Sequence, residues 1–151
     1  MILAFKLSDK TELDIVFSLL ANSALQAAEF FDEIDYLVPV PIHWTRRLAR
    51  GFNQSKLIAK TVQCPTAAVN TNLVRIRRTT KQALLTTDKQ RLKNVRDAFA
   101  VRDGHDFAGK TICLVDDIKT SGATINECAK TLKAAGAKKV YVFVLTAASR
   151  D

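Results

Sequence analysis

Along residues 11–31 the apolar positions Leu13, Val16, Phe17, Leu20, Ala24 and Phe31 recur at helical spacing with few breakers, which predicts a helix. Residues 36–40 form a short apolar run, predicted as a strand and closed by Val-Pro-Val-Pro from Val38 to Pro41. A basic segment containing Gly51 comes next, then a predicted helix over residues 52–62. Short strands are predicted over residues 73–76 and 98–101. Between them, residues 77–96 are polar, rich in Thr, Lys, Arg and Gln, and long for a connection. Such a stretch is expected to be a functional or mobile loop.

The last third has the clearest pattern. Residues 111–115 are a continuous apolar, β-branched run, expected for a strand buried on both faces. Residues 123–135 place Ile125, Cys128, Ala129 and Leu132 on one helical stripe, with Gly136 as a C-terminal stop. Residues 140–145 are a second uninterrupted apolar strand. Strand, helix, strand at this spacing is a right-handed crossover, so the fold class is α/β, with a mostly parallel sheet flanked by helices. No internal repeat, low-complexity tract or linker interrupts the chain, and residues 1–151 are expected to form a single domain.

With 48% hydrophobic and 25% charged residues over 151 positions, the composition is ordinary for a globular chain. It excludes a wholly disordered, collagen-like or simple coiled-coil protein. No apolar run approaches the ~20 residues of a membrane span. The opening MILAFKLSDK does not resemble a secretory signal, so no membrane insertion and a cytoplasmic location are expected. Charge adds more. The chain carries a net +8, but residues 43–102 hold 14 basic side chains against only Asp88 and Asp97, leaving the remainder net acidic. A basic middle suits phosphate, pyrophosphate or nucleic acid, although a solvated basic face is the commoner origin of such a run. Cys64, Cys113 and Cys128 are odd in number and widely spaced, which supports neither a zinc ribbon nor a disulfide framework. Cys113 and Cys128 read as core residues and Cys64 as a partly exposed thiol.

Residues 104–111 read GHDFAGKT, matching the nucleotide-binding pattern GxxxxGK[ST]. That loop must follow a strand and open a helix so that its amides face phosphates. Here it runs into a strand, and Gly109 with Lys110 reads as an ordinary turn. The stronger candidate lies at the other end of that strand. Residues 112–124 read ICLVDDIKTSGAT: an apolar run, two acids, a small-hydroxyl loop, then a helix. Ligands of open parallel sheets bind beyond the carboxyl ends of the strands. Asp116 and Asp117 would emerge there as acceptors for a sugar diol. Thr120, Ser121, Gly122, Ala123 and Thr124 would wrap a phosphate at the helix N-terminus. The bland reading is that Asp117 and Thr124 only cap the helix.

This segment resembles the phosphoribosyl pyrophosphate (PRPP) motif of type I phosphoribosyltransferases. Residues 38–56, VPVPIHWTRRLARGFNQSK, and residues 78–99, RTTKQALLTTDKQRLKNVRDAF, are similar to two further signatures of the ComF/GntX-like group, the competence protein F family. Together the three motifs run in that family's order over residues 5–146. The resemblance implies a type I phosphoribosyltransferase-like fold. It implies that Asp116 and Asp117 hold ribose hydroxyls and that residues 120–124 cradle the 5′-phosphate. Arg46, Arg47 and Arg50 fall where the family binds pyrophosphate. Arg78, Thr79, Gln82, Arg91 and Asn94 fall in the loop that closes over the site. Mg²⁺ would arrive with PRPP, and no protein metal site is expected. Two departures stand out. The four-cysteine zinc module that family members often carry would precede this sequence, and Lys119 occupies a position that is usually apolar.

Two functions compete at this point. One is an enzyme transferring phosphoribosyl from PRPP to an unknown acceptor with release of pyrophosphate. The other is a non-catalytic module binding PRPP or single-stranded DNA, in keeping with the family's association with DNA uptake. Aromatic residues are only 7% of the chain, and Trp44, Phe52 and Phe99 lack the repeated stacking pattern of single-strand binders. No general base is evident. His43 reads as a turn residue, with no carboxylate placed to orient it.

Overall fold

The computed structural model describes residues 12–42, 51, 53–80, 84–119 and 121–147. At its centre is β5 (Thr111–Lys119), flanked by β1 (Tyr36–Pro39) and β6 (Lys139–Ala147). With β2 (Ala68–Val69) at one edge, the sheet order is β2-β1-β5-β6, and every pair is parallel. A separate antiparallel ribbon pairs β3 (Leu73–Arg75) with β4 (Phe99–Val101). The expected α/β architecture with a mostly parallel sheet is therefore the one observed.

Period-two alternation splits the core into two clusters. Leu37, Cys113 and Val115 pack with Ala21 and Leu25 of α1 (Glu12–Gln26) and with Ile58 and Ala59 of α2 (Gln54–Thr61). Val38, Ile112 and Leu114 pack with Cys128 and Leu132 of α4 (Ala123–Ala134) and with Leu73 and Phe99 of the ribbon. Val95, at the end of α3 (Asp88–Val95), joins this second cluster. Leu114 is fully enclosed, so truncating it to alanine would cost about 2–5 kcal/mol.

Several elements differ from their predicted form. The first helix ends at Gln26 rather than Phe31, and its buried stripe is Ala21 and Leu25, one residue on from the predicted Leu20 and Ala24. Beyond it, a single 3-10 turn (Phe31–Glu33) follows, and Phe30 stacks on Tyr141 at 4.1 Å. Contact with β6 thus redirects a chain whose local propensity would have continued the helix. Residues 77–96 are not simply a loop, because α3 occupies eight of these twenty. Its capping box joins Thr87 and Gln90, each bonding the other's backbone N–H. Cys64 is buried rather than partly exposed, with Sγ 3.3 Å from Thr66 Oγ1. Burial pushes the Cys113 thiol up to about 12 and the Cys128 thiol well above its ordinary value, as befits core residues. Among the described residues no helix is long and apolar enough to cross a membrane.

The amino end of β5 is closed by polar contacts. Asp35 accepts the Thr111 backbone N–H at 2.7 Å and faces Lys110 Nζ at 3.3 Å. Gly109, at φ +72°, donates its N–H to Gly136 O at 2.9 Å, and Lys110 donates its own to Phe107 O. The GHDFAGKT segment is a turn entering a strand, as its context predicted.

Candidate functional site

At the opposite end β5 continues past its apolar run. It keeps pairing with β6 through Asp116–Val144, Ile118–Thr146 and Lys119–Ala147. The strand was predicted over residues 111–115, with both acids emerging beyond its carboxyl end. Instead Asp116 and Asp117 lie within its last four residues, held by a ladder that needs only backbone groups. The acids therefore project from a rigid element at the carboxyl edge. They do not cap α4, whose N-cap is Gly122.

Gly122 makes the turn into α4 at φ +77°, where an L side chain would be strained, and it gives the helix no side-chain cap. Ser121 Oγ is 3.4 Å from the N–H of Ala123, and Thr124 stands in the helix's first turn. A helix start with a glycine N-cap beside small hydroxyl residues favours an anion, because the helix dipole points its positive end there. A Cβ on Gly122 would lie 3.4 Å from Lys119 Cε, so the Lys119 chain runs across the glycine. Thr120 lies outside the described residues.

Asp116 is the most perturbed carboxyl of the site. Burial pushes it up to about 7, reinforced by the neighbouring Asp117 charge and opposed by a hydrogen bond from Ser55 Oγ at 2.9 Å. Ser55 was not anticipated as a site residue. Its signal in the sequence was its place two residues after the helix-capping Asn53, within the signature segment 38–56. Asn53 accepts the Ser55 N–H at 3.2 Å and donates to Val40 O at 3.1 Å, joining the helix start to the end of β1.

A cavity of about 430 Å³ opens between the end of β1, the start of α2 and the β3–β4 ribbon. Lys56, Arg75 and Arg102 supply cations to it, Asn53 and Thr71 supply polar groups, and Pro39, Pro41 and Leu73 form its apolar wall. Among the described residues none of its lining side chains is acidic. The Arg75 guanidinium also lies 5.2 Å from the Phe99 ring centroid. These three cations were hidden inside a general count of basic residues. Arg46, Arg47 and Arg50, expected to bind pyrophosphate, lie outside the described residues, as do His43 and Trp44.

The residues expected in the closing loop brace their own segment. Arg77 donates to the carbonyls of Asn94 and Arg96, and Asn94 exchanges hydrogen bonds with the Thr80 backbone at 3.0 and 2.9 Å. Arg91 Nε donates to Leu85 O at 3.0 Å. Thr79 is buried and accepts from Arg75, which ties the segment to the cavity wall, while Arg78 is exposed. Gln82 lies outside the described residues. No group of three or more metal-ligating side chains occurs among the described residues.

Comparison with known proteins fits this geometry. Residues 8–151 match the model of the phosphoribosyl transferase domain. The chain is 28% identical over 150 residues to competence protein F of Haemophilus influenzae, covering 95% of this chain and 65% of that protein. It is 33% identical over 117 residues to the DNA utilization protein YhgH of Escherichia coli K12, covering 74% of this chain and 48% of that protein. The chain thus spans about half to two-thirds of the length of these curated relatives. Among solved structures, glutamine phosphoribosylpyrophosphate amidotransferase from B. subtilis superposes with a TM-score of 0.58 at 18% identity, over 89% of this chain and 27% of that one.

Proposed function

The chain belongs to the phosphoribosyl transferase domain family, as a competence-protein-F-like member with the type I phosphoribosyltransferase fold, and from that premise we propose that its carboxyl sheet edge binds PRPP. One observation carries the reading: an acidic pair lies near the end of β5, a glycine turn into a helix follows it, and a cationic cavity opens at the start of α2, whose Ser55 bonds Asp116. These are acceptors for a diol, an anion site for a 5′-phosphate and positive charge for a pyrophosphate. Asp116 and Asp117 serve the ribose hydroxyls, and residues 120–124 the 5′-phosphate. Lys56, Arg75 and Arg102 join Arg46, Arg47 and Arg50 at the pyrophosphate end. Mg²⁺ comes as part of the substrate, carried on the pyrophosphate oxygens, in keeping with its reluctance to enter all-protein cages.

The reaction this arrangement suits is phosphoribosyl transfer. The bond from ribose C1 to pyrophosphate breaks, pyrophosphate leaves with the electron pair, and an acceptor's lone pair forms the new bond to C1. Charge develops in opposite senses on sugar and leaving group, so fixed carboxylates at one and fixed cations at the other lower the barrier. The test is calorimetric titration of PRPP with Mg²⁺, followed by single-turnover release of pyrophosphate. Saturable binding is the expected result, and its absence would remove the reading.

A second reading, a module for single-stranded DNA in uptake or utilization, draws on the names of the two relatives and the basic middle of the chain. Binding to DNA would weaken steeply with salt. On the PRPP reading, any such binding is feeble and PRPP competes for it. Tight DNA binding that persists in saturating PRPP would identify a separate nucleic-acid surface.

A further inference from the structure

The two acids of the site are held differently. Asp116 Oδ1 accepts from Ser55 Oγ at 2.9 Å and from the Asp117 N–H at 3.0 Å. Ser55 is only 3% exposed and sits in the first turn of α2, on a different element and a different sequence signature from the acid it bonds. A serine there has a local use for its hydroxyl, since helix starts carry orphan N–H groups. In this helix Asn53 does the capping, and the Ser55 hydroxyl reaches across to β5 instead. A continuous path of hydrogen bonds therefore joins Val40 at the end of β1, Asn53, Ser55 and Asp116.

We propose that Ser55 is a positioning residue for the acidic pair: by tethering Asp116 to α2 it makes Asp116 the anchored acid and gives the ribose-facing role chiefly to Asp117. The proposal rests on the PRPP reading above and deepens it. It links the two halves of the site. Through Asn53 and Ser55, α2 and the end of β1 are bonded to the strand that carries both acids. Titratable neighbours bear on Asp116 from two sides: Asp117 on its own strand, and Cys128 on α4, a thiol that also senses Arg75 and Glu127. From α2 the contact is the uncharged Ser55 donor.

The experiment compares the full chain with Ser55→Ala and Ser55→Thr. Calorimetry with PRPP and Mg²⁺ at pH 7 should show about tenfold weaker binding for S55A, the scale of one lost hydrogen bond to a charged group, and recovery to within about threefold for S55T. Carbon-detected titration of the Asp116 carboxyl should move upward in S55A, because a donor to the charged form is gone, and return in S55T. Thermal melts establish that each variant folds. Should the added methyl of S55T prevent folding, S55A against the wild-type titration carries the test. Unchanged PRPP affinity in folded S55A, or equal losses in both variants with an unmoved Asp116 titration, overturns the proposal. Absence of PRPP binding in the wild type would instead fail the PRPP reading, and the carboxyl titration alone would then decide whether Ser55 anchors Asp116.

Discussion

The two ends of β5 use the same chemical group to opposite effect. At the amino end, Asp35 receives a backbone N–H from Thr111 and a Lys110 ammonium, and these hold its carboxyl below the usual value. At the carboxyl end, burial and the neighbouring Asp117 hold Asp116 above it. One carboxylate is satisfied and closes a turn. The other is kept at a cost, with the uncharged Ser55 hydroxyl as a side-chain donor. Perturbation with incomplete compensation is a mark of functional sites, whereas a fully paired acid mostly stabilises the fold. The same pairing bears on the segment that matches a nucleotide-binding pattern: the N–H groups of Gly109, Lys110 and Thr111 and the Lys110 ammonium already have partners inside the protein.

The largest effect should come from removing both acids of the perturbed end. Asp116→Asn with Asp117→Asn should abolish the thermal shift produced by PRPP and Mg²⁺ and leave the circular dichroism spectrum unchanged. A retained shift would take the acids out of the site.

A single Asp116→Asn change should stabilise the ligand-free protein. The native carboxyl titrates near 7 and the unfolded one near its ordinary value, so the charge is a growing penalty as pH rises from about 4 to 7. Melting temperatures of variant and wild type should coincide near pH 4. Above pH 7 they should separate by roughly 4–8 °C, corresponding to about 2 kcal/mol after local relaxation.

The mirror experiment at the paired end has the opposite sign. Asp35→Asn should lose about 1 kcal/mol at pH 7, read from urea unfolding, because a lowered carboxyl contributes stability above its unfolded value. That loss should vanish as pH falls through the native value, and PRPP affinity should not change. The smallest effect is expected for Lys110→Ala. Its ion pair is about 40% exposed on each side, so stability should change by less than about 0.5 kcal/mol. ATP should give no thermal shift in either protein. A nucleotide shift lost in K110A would revive the rejected motif and erase the contrast between the ends.

Much of this was legible in the sequence, for identifiable reasons. Nearly continuous apolar runs rich in β-branched residues at 111–115 and 140–145 and the stripe on α4 specify a buried parallel crossover, because few other structures tolerate such patterns. The placement of Asp116 and Asp117 at the carboxyl end of β5 and of Gly122 at the start of α4 was legible, because their order after a strand is itself the signal. The strand's extension to Lys119 was not, since ladder pairing belongs to the backbone and leaves polar residues unmarked. The boundary of α1 was lost to a tertiary contact between Phe30 and Tyr141. Helix α3 was overlooked although Thr87 and Gln90 spell its capping box, because its few apolar residues gave no periodicity. Ser55 and the cavity cations share a different cause. They matter through neighbours that are distant in the chain, and a linear pattern does not record which distant element a side chain will meet.

The sheet order also sets the sequence in which the molecule can assemble. Leu114 in β5 pairs with Val142, 28 residues on, while Leu37 in β1 pairs with Cys113, 76 residues on. Closing the longer loop costs about 0.9 kcal/mol more in chain entropy, before any gain from α1 and α2. The β5–α4–β6 crossover should therefore form early during refolding, and β1 should dock afterwards against a template that is already in register. Truncating Leu132 would then slow refolding, while truncating Leu37 would chiefly speed unfolding. Asp116 and Asp117 would be set in the first step, and the tether from Ser55 would close in the last.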